Sequence, residues 1–219
     1  MESEILNLIH SRYPGLYLFI KGAVSTIKHL QSKRRLRHIL KVKRVLYLEF
    51  GAGDRKGVNG WITMDIARDS DIFWDVRRGI PFPDGSVSKI YSSHFMEHLT
   101  FKEGQRFLKE CKRVLRRGGI FSVCVPNARL YLEAYVMNRS LDENRYFGLN
   151  KSAFNRTTRI DYANYTAYMD GQHKYMFDEE NLLFIMNSIG FQRVRRRVFN
   201  PELDREIRDF ESIYAEAEA

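Results

Sequence analysis

Residues 45–66, VLYLEFGAGDRKGVNGWITMDI, contain two apolar strands separated by a glycine-containing turn. The first strand is almost continuously apolar through Phe50, as expected of a parallel strand buried on both faces. Gly51 and Gly53 follow it and let the backbone turn sharply and approach a ligand closely. Asp65 ends the second strand, at the edge where open α/β sheets bind ligands and where a carboxylate can accept both hydroxyls of a ribose. The stretch predicts an α/β fold with a site for a nucleoside-containing cofactor.

The spacing of the glycines bears on which nucleoside binds. A dinucleotide turn has the pattern G-x-G-x-x-G, whereas here Lys56 stands at the third glycine position and Gly57 follows one residue late. Glu49, just before the turn, is a poor neighbour for a pyrophosphate and a good one for a cation. S-adenosylmethionine carries a sulfonium, an ammonium and a ribose. These residues favour it over a nicotinamide dinucleotide.

Composition indicates one soluble globular domain with additions. The chain has 219 residues, of which 44% are hydrophobic and 29% charged. Cys111 and Cys124 have no metal or redox spacing, so we expect two reduced core thiols and a cytoplasmic protein. Residues 1–4 are acidic where a secretory signal would be basic, and the apolar stretch at residues 13–24 is too short to span a bilayer.

The net charge of +9 is concentrated in two basic blocks, at residues 33–44 and 193–197. One hypothesis is attraction to a phosphate-rich partner, such as nucleic acid, an anionic membrane surface or a phosphorylated lipid. The alternative is a solvated face on a basic protein. Both remain open from the sequence.

Residues 1–40 are predicted to form an N-terminal helical arm of two helices, with a break near Pro14 and Gly15. Their apolar residues recur at helical spacing. We expect the arm to cover an edge of the sheet, and the alternative is peripheral contact with a membrane. The rest of the chain, residues 41–219, is predicted to be one catalytic domain.

Five more strands are predicted after the opening pair, at residues 71–75, 87–93, 120–125, 191–199 and 210–217. Helices are predicted at residues 102–117, with Gly118-Gly119 as a left-handed cap, and at residues 179–189, with Gly190 as the cap. Residues 127–172 lack clean periodicity and are predicted to be an insertion over the substrate side. The last two strands are expected to pair antiparallel.

Five motifs occur in one order along the chain, at residues 48–53 (LEFGAG), 64–65 (MD), 75–83 (DVRRGIPFP), 93–98 (SHFMEH) and 110–119 (ECKRVLRRGG). With them the sequence resembles the class I S-adenosylmethionine-dependent methyltransferases. It is most similar to the type 11 methyltransferase domains of bacterial glycan and lipopolysaccharide pathways. The resemblance implies a Rossmann-like, open, mostly parallel seven-stranded sheet. Only ten residues, 51–60, separate the first two strands, so the first crossovers must be shortened.

The resemblance also implies a cofactor site at the ends of the first four strands. Glu49 and the glycines would hold the methionine end, Asp65 the ribose, and Asp75 or the Val76 backbone the adenine. Two alternatives stay open, a helix N-cap for Asp65 and an ion pair with a neighbouring arginine for Asp75. The implied cofactor-binding residues are Glu49, Phe50, Gly51, Ala52, Gly53, Asp65, Ile66, Asp75, Val76, Ser93 and His94.

Methyl transfer is an in-line displacement, so catalysis is largely alignment of the acceptor, and a base is needed only for a group of high pKa. The candidates for a base are His94, His98 and His173, each of which has a structural role as the alternative. His94 and His98, with Glu97 between them, have the spacing of a metal pair. The sequence indicates no third ligand, so no metal is predicted.

The sequence therefore predicts an S-adenosylmethionine-dependent methyltransferase with S-adenosylhomocysteine as product. The expected reaction is O-methylation of a small molecule, a sugar or a glycan-lipid precursor. Its expected location is the cytoplasm or the inner surface of the membrane. One alternative is a catalytically silent scaffold with the same fold. Another is a nucleic-acid or protein methyltransferase, although residues 92–95 (SSHF) replace the Asn/Asp-Pro-Pro-Tyr/Phe clamp for a flipped base.

Overall fold

The computed structural model describes residues 11–53, 60–67, 69–142 and 158–219. A seven-stranded sheet has the order β3-β2-β1-β4-β5-β7-β6. β7 runs antiparallel to both of its neighbours, and the pairs among β1 to β5 are parallel. This confirms the predicted open, mostly parallel sheet with an antiparallel last pair. The strands are β1 (Tyr47–Phe50), β2 (Ile62–Asp65), β3 (Ile72–Phe73), β4 (Val87–Ser93), β5 (Leu115–Pro126), β6 (Gln192–Arg196) and β7 (Ser212–Glu218).

Five helices flank the sheet within the described ranges: α1 (Pro14–Val42), α2 (Phe101–Val114), α3 (Ala128–Val136), α4 (Ile160–Ala167) and α5 (Glu179–Ile189). Short 3-10 turns lie at Val76–Arg78, Met96–His98 and Glu206–Glu211. The described residues that join β1 to β2 and β2 to β3 contain no helix, as the short spacings predict. α5 ends as predicted at Gly190, whose φ of 92° is left-handed.

The core lies between the central strands and the helices packed on them. Leu48 and Ile90 on neighbouring strands are fully buried, as is Leu108 on α2. Cys111 and Cys124 are buried and unbonded to each other, as expected. No helix among the described residues is long and apolar enough to cross a membrane.

α1 covers the β3 edge of the sheet with its C-terminal half only. There Leu36 and Ile39 are buried, and the Ser32 hydroxyl accepts a 2.9 Å hydrogen bond from the Phe73 amide. The N-terminal half exposes large apolar side chains, including Phe19. The expected cover is thus confirmed for part of the arm. The first predicted helix of the arm falls largely on residues 1–10, outside the described residues.

The predicted end of the helix at residues 102–117 is wrong. α2 ends at Val114, because Leu115 is extended (φ −67°, ψ 135°) and pairs with Val87 of β4. Gly118, with a φ of 70°, belongs to an irregularity in the register of β5 instead of a helix cap. A side chain at Gly119 would lie 2.8 Å from the carbonyl oxygen of Arg116. These glycines therefore allow a β-bulge.

The predicted insertion contains two helices that the apolar pattern did not indicate. α3 and α4 pack on each other through a small core of their own, formed by Tyr131, Ala134, Tyr162 and Tyr165. Because the buried face is made of tyrosine and alanine, it has little of the aliphatic periodicity from which helices are predicted. Residues 143–157 of the insertion lie outside the described residues.

Candidate functional site

A cavity of about 600 Å³ opens at the carboxyl ends of β1, β2 and β4, the edge at which parallel sheets bind ligands. A smaller cavity of about 160 Å³ adjoins it along Asp65, Ile66 and His98 and continues to Asp75 and Val76. The combined volume lies in the range of small-molecule sites. The larger cavity is lined by Glu49, Gly51, Ala52, Gly53, Asp65, Ile66, Ser93, His94, Phe95, His98, Arg205 and Arg208.

The glycine turn after β1 forms one wall of this cavity. Gly51 has a φ of 74°, and a Cβ atom built there would lie 2.5 Å from Cβ of Phe95. Gly53 has a φ of 60°, and its amide donates a 3.2 Å hydrogen bond to Oδ2 of Asp65. The turn therefore needs glycine at position 51 for conformation and for space. Lys56 and Gly57, which distinguish this turn from a dinucleotide-binding turn, lie outside the described residues.

Asp65 is at the end of β2 and faces both cavities. Its carboxylate accepts hydrogen bonds from the amides of Gly53, at 3.2 Å, and Ala67, at 3.0 Å. A turn follows, so within the described residues the alternative of a helix N-cap is wrong. Two backbone amides orient the carboxylate toward the position expected for a ribose.

Two predicted residues at the end of β1 differ in their environment. Glu49 lines the cavity although it is only 5% exposed, so its carboxylate is in a poorly solvated position there. Phe50 is fully buried and packs edge-on against Phe107, with ring centroids 5.1 Å apart. The side chain of Phe50 therefore faces the core, because consecutive strand residues point to opposite faces, and a backbone contact of Phe50 with the cofactor stays a prediction.

Asp75 lines the smaller cavity and is also paired with Arg77. Oδ1 accepts from the guanidinium Nε at 2.9 Å and Oδ2 from Nη2 at 2.8 Å. The hydrogen bonds from Arg77 hold the pKa of Asp75 below its ordinary value. The ion pair given as the alternative for Asp75 is therefore formed, with Arg77. The contact of Asp75 or Val76 with an adenine stays a prediction.

His94 follows β4 in a strained backbone conformation, with a φ of 46°. Its Nε2 lies 2.8 Å from the Ser212 hydroxyl, which itself donates a 2.6 Å hydrogen bond to the carbonyl of Arg208. That hydroxyl must accept from Nε2–H, so the lone pair of His94 is on Nδ1, 3.7 Å from Oε1 of Glu97. Burial keeps the pKa of His94 well below its ordinary value, so the ring is neutral.

The other two candidate histidines join His94 around Glu97. The rings of His98 and His173 are 5.1 Å apart. Burial lowers the pKa of His98, lowers that of His173 to about 4, and raises the pKa of Glu97 to about 8. The structure thus brings together all three histidines that the sequence could only list as separate candidates.

Arg205 and Arg208 are cavity residues that the sequence did not indicate. They lie before and within the last 3-10 turn, more than a hundred residues after the glycine turn, and no motif marks them. The second basic block has a different role. Arg193, Arg195 and Arg197 pair with Glu218, Glu216 and Asp204, so these three charges are balanced within the chain.

In fold, the chain is similar to S-adenosylmethionine-dependent methyltransferases. A structure from Archaeoglobus fulgidus with that description superposes with a TM-score of 0.50 at 18% identity, over 88% of this chain and 94% of the other. A second, from Mesorhizobium loti, gives a TM-score of 0.50 at 14% identity, over 85% of this chain and 96% of the other. These likenesses confirm the fold class.

In sequence, residues 69–123 match the family described as "Methyltransferase domain". A probable S-adenosylmethionine-dependent methyltransferase of Mycolicibacterium smegmatis is 42% identical over 57 residues, which are 24% of this chain and 21% of that protein. An mRNA cap guanine-N(7) methyltransferase of Cryptococcus neoformans is 27% identical over 156 residues, which are 64% of this chain and 25% of that protein. The chain thus spans a quarter or less of these relatives. The matches support a class I methyltransferase with S-adenosylmethionine as its cofactor.

Proposed function

We propose that the protein is an S-adenosylmethionine-dependent methyltransferase that methylates an oxygen atom of an acceptor. The observation that carries the proposal is a single cavity that combines the Gly51 turn, the oriented carboxylate of Asp65 and the buried carboxylate of Glu49. A cationic nucleoside matches this set, because one acid can bind ribose hydroxyls and the other an ammonium group.

When bound, S-adenosylmethionine supplies a methyl group on a positively charged sulfur. The acceptor oxygen forms the new C–O bond while the C–S bond breaks and leaves its electron pair on sulfur. The hydroxyl proton leaves to solvent. The protein contributes alignment through the strand-end residues, His98 and Arg208, all of which line the cavity.

We infer that the acceptor is anionic, and that a sugar on a glycan-lipid precursor fits best. Arg205 and Arg208 both line the larger cavity. Two guanidinium groups at one site are suited to a phosphate or carboxylate group of the acceptor. A lipid-linked phosphate would supply that charge beside sugar hydroxyls.

The exposed part of α1 supports contact with an anionic membrane surface, where such an acceptor would be located. Leu18 and Phe19 are 68% and 74% exposed. Residues 11–48 contain ten Lys or Arg residues and no Asp or Glu. Apolar side chains followed by a run of positive charge are typical of segments that lie in the lipid interface.

Co-sedimentation with vesicles tests this contact. We expect the full chain to bind phosphatidylglycerol–phosphatidylcholine vesicles, to bind pure phosphatidylcholine weakly, and to be released by high salt. The double change Leu18→Gln and Phe19→Gln should abolish binding, while Val198→Gln, at an equally exposed position elsewhere, should not. Absence of binding would contradict the contact. Two other results would identify a different occupant of this face. Self-association without lipid that the double variant loses would identify a second copy of the chain. Vesicle binding that is gained only when residues 1–10 are removed would identify those residues.

Two alternatives make different predictions. A silent scaffold would bind S-adenosylhomocysteine but transfer no methyl group to any acceptor. A nucleic-acid methyltransferase is favoured by the basic α1 and by the similarity to the cap methyltransferase. It would label RNA instead of a lipid extract when supplied with methyl-labelled S-adenosylmethionine.

Calorimetric titration is the direct test of the cofactor. We expect S-adenosylmethionine and S-adenosylhomocysteine to bind and NAD not to bind. Asp65→Ala should weaken binding by at least about tenfold, because each charge-assisted hydrogen bond is worth about 1.5–3 kcal/mol. Asp71→Ala is the matched control, since Asp71 bonds to Thr63 and Arg35 and does not line either cavity. A folded protein that binds neither ligand would contradict the proposed function.

A further inference from the structure

Three potential metal ligands from two distant parts of the chain meet beside the larger cavity. Glu97 and His98 lie in the 3-10 turn after β4, and His173 lies at the end of the insertion. One ligand atom from each lies within 4.8 Å of the other two. The sequence suggested His94 and His98, with Glu97 between them, as a metal pair and gave no sign that His173 joins this turn.

Backbone hydrogen bonds fix the two segments to each other. The carbonyl of Glu97 accepts from the amides of Lys174, at 2.7 Å, and Tyr175, at 3.2 Å. The His173 amide in turn donates to the carbonyl of Tyr168 at 3.0 Å. The cluster therefore stands on a defined backbone frame, which is what a preorganised site requires.

The hydrogen bonds of the two imidazoles determine which nitrogen is free. His98 Nδ1 lies 3.0 Å from the carbonyl of Gln172, and His173 Nδ1 lies 3.0 Å from the carbonyl of Thr166. A carbonyl can only accept, so both Nδ1 atoms carry the proton and both Nε2 atoms hold a lone pair. Metal-binding histidines commonly have this arrangement, in which a backbone carbonyl orients the ring.

In the described part of the chain, one oxygen of the carboxylate at the centre of the cluster lacks a proton donor. Among the described residues, Oε2 of Glu97 is buried without a hydrogen-bond partner. Oε1 lies 4.0 Å from His98 Nε2 and 3.7 Å from His94 Nδ1, both of which present lone pairs. Several electron-rich atoms facing one another in a buried position need either a proton or a cation between them.

We propose that Glu97, His98 and His173 bind a divalent transition-metal ion. Two imidazole nitrogens and one carboxylate suit Zn²⁺, Co²⁺, Mn²⁺ or Fe²⁺ better than Mg²⁺ or Ca²⁺, which prefer oxygen ligands. Metal–ligand bonds of about 2.1 Å place tetrahedral ligands roughly 3.4 Å apart. The 4.0 Å between His98 Nε2 and Glu97 Oε1 must shorten, and the His98 side chain, 35% exposed, has room to turn.

The position of the site gives the ion a role that rests on the proposed function. His98 lines both cavities, so an ion held by these three residues would lie beside the cavities, and a site with three protein ligands would leave one coordination position for an acceptor. A hydroxyl bound there has a lowered pKa and becomes a better nucleophile for methyl transfer.

Metal binding can be measured without turnover. Full-length protein freed of metal by a chelator is titrated with Co²⁺, whose visible absorption reports its ligands, and with Zn²⁺ in a calorimeter. We expect one equivalent to bind, with little competition from excess Mg²⁺. His173→Ala and Glu97→Gln should each weaken binding at least tenfold, whereas His38→Ala, an exposed histidine on α1, should leave it unchanged.

The outcomes separate this proposal from the proposed function. If the wild type binds no stoichiometric ion, or if His173→Ala binds Zn²⁺ as the wild type does, the proposal is wrong and Glu97 carries a proton instead. Thermal unfolding of each variant shows whether it is folded, and Glu97→Gln keeps the shape of the side chain. Titration of the same samples with S-adenosylhomocysteine tests the cofactor site independently.

Discussion

Replacement of Gly51 by alanine tests how closely the glycine turn is built against the cavity. Its φ of 74° costs an L-residue about 1–2 kcal/mol. The new Cβ would also lie 2.5 Å from Cβ of Phe95, well inside van der Waals contact. Phe95 cannot retreat into the core, because its ring packs 5.3 Å from that of Phe107 and 6.4 Å from that of Phe50. Overpacking of this kind costs a further 1–3 kcal/mol, roughly.

The expected total for Gly51→Ala is about 2–5 kcal/mol, which corresponds to a fall in Tm of roughly 4–20 °C for a chain of this size. Phe95 lines both cavities, so its displacement should also weaken S-adenosylhomocysteine at least tenfold. Gly118→Ala is the matched control. Gly118 has a φ of 70° and nothing within 4 Å of a built Cβ, so we expect only the conformational cost and unchanged affinity.

Thermal unfolding without ligand and calorimetry with S-adenosylhomocysteine measure the two effects separately. Equal losses of Tm in the two variants would refute the close contact between the turn and Phe95. A Gly51→Ala protein that is destabilised and still binds S-adenosylhomocysteine with wild-type affinity would refute the location of the cofactor at this turn.

Two further predictions concern arginines. Arg208→Ala should raise the KM for an anionic acceptor at least tenfold and leave the Kd of S-adenosylhomocysteine unchanged; a weakened Kd would instead assign this arginine to the cofactor carboxylate. Arg197→Ala should cost about 3–5 kcal/mol in chemical denaturation, because it leaves the fully buried Asp204 without its ion pair. Arg195→Ala, which removes a pair whose arginine is 58% exposed, should cost less than about 1 kcal/mol, and similar losses in both variants would contradict this reasoning.

Much of the fold could be predicted because its signals are local. β4 and α5 have the bounds that periodicity and caps indicate, since most of β4 is buried and α5 buries one face. Glycine residues indicated the ends of helices less reliably. Gly190 caps a helix as predicted, whereas Gly118 lies in a bulge, because Leu115 pairs with β4 before the helix reaches the glycines. Strand pairing between distant residues decided that difference, and a single sequence does not show it.

The candidate site was predictable to the same extent. The Gly51 turn and Asp65 are fourteen residues apart and connected by two short strands, so their meeting follows from parallel pairing alone. Arg208 and His173 reach the same edge through the insertion and the antiparallel last strands, whose paths depend on tertiary packing. Asp75 shows a different limit of prediction from sequence. A sequence does not distinguish an aspartate that forms an ion pair from one that lines a cavity.

The cavity is lined by residues from two parts of the chain, and this bears on where acceptor choice resides. The residues at the strand ends have the features expected for a cationic nucleoside and come from the first half of the chain. Arg208 also lines the cavity, and His173 lies beside the ring of His98; both belong to segments that follow β5. Changes in those segments should therefore alter which acceptor is methylated, or whether an ion assists, while S-adenosylhomocysteine affinity stays the same. Changes in the glycine turn should alter cofactor affinity for every acceptor.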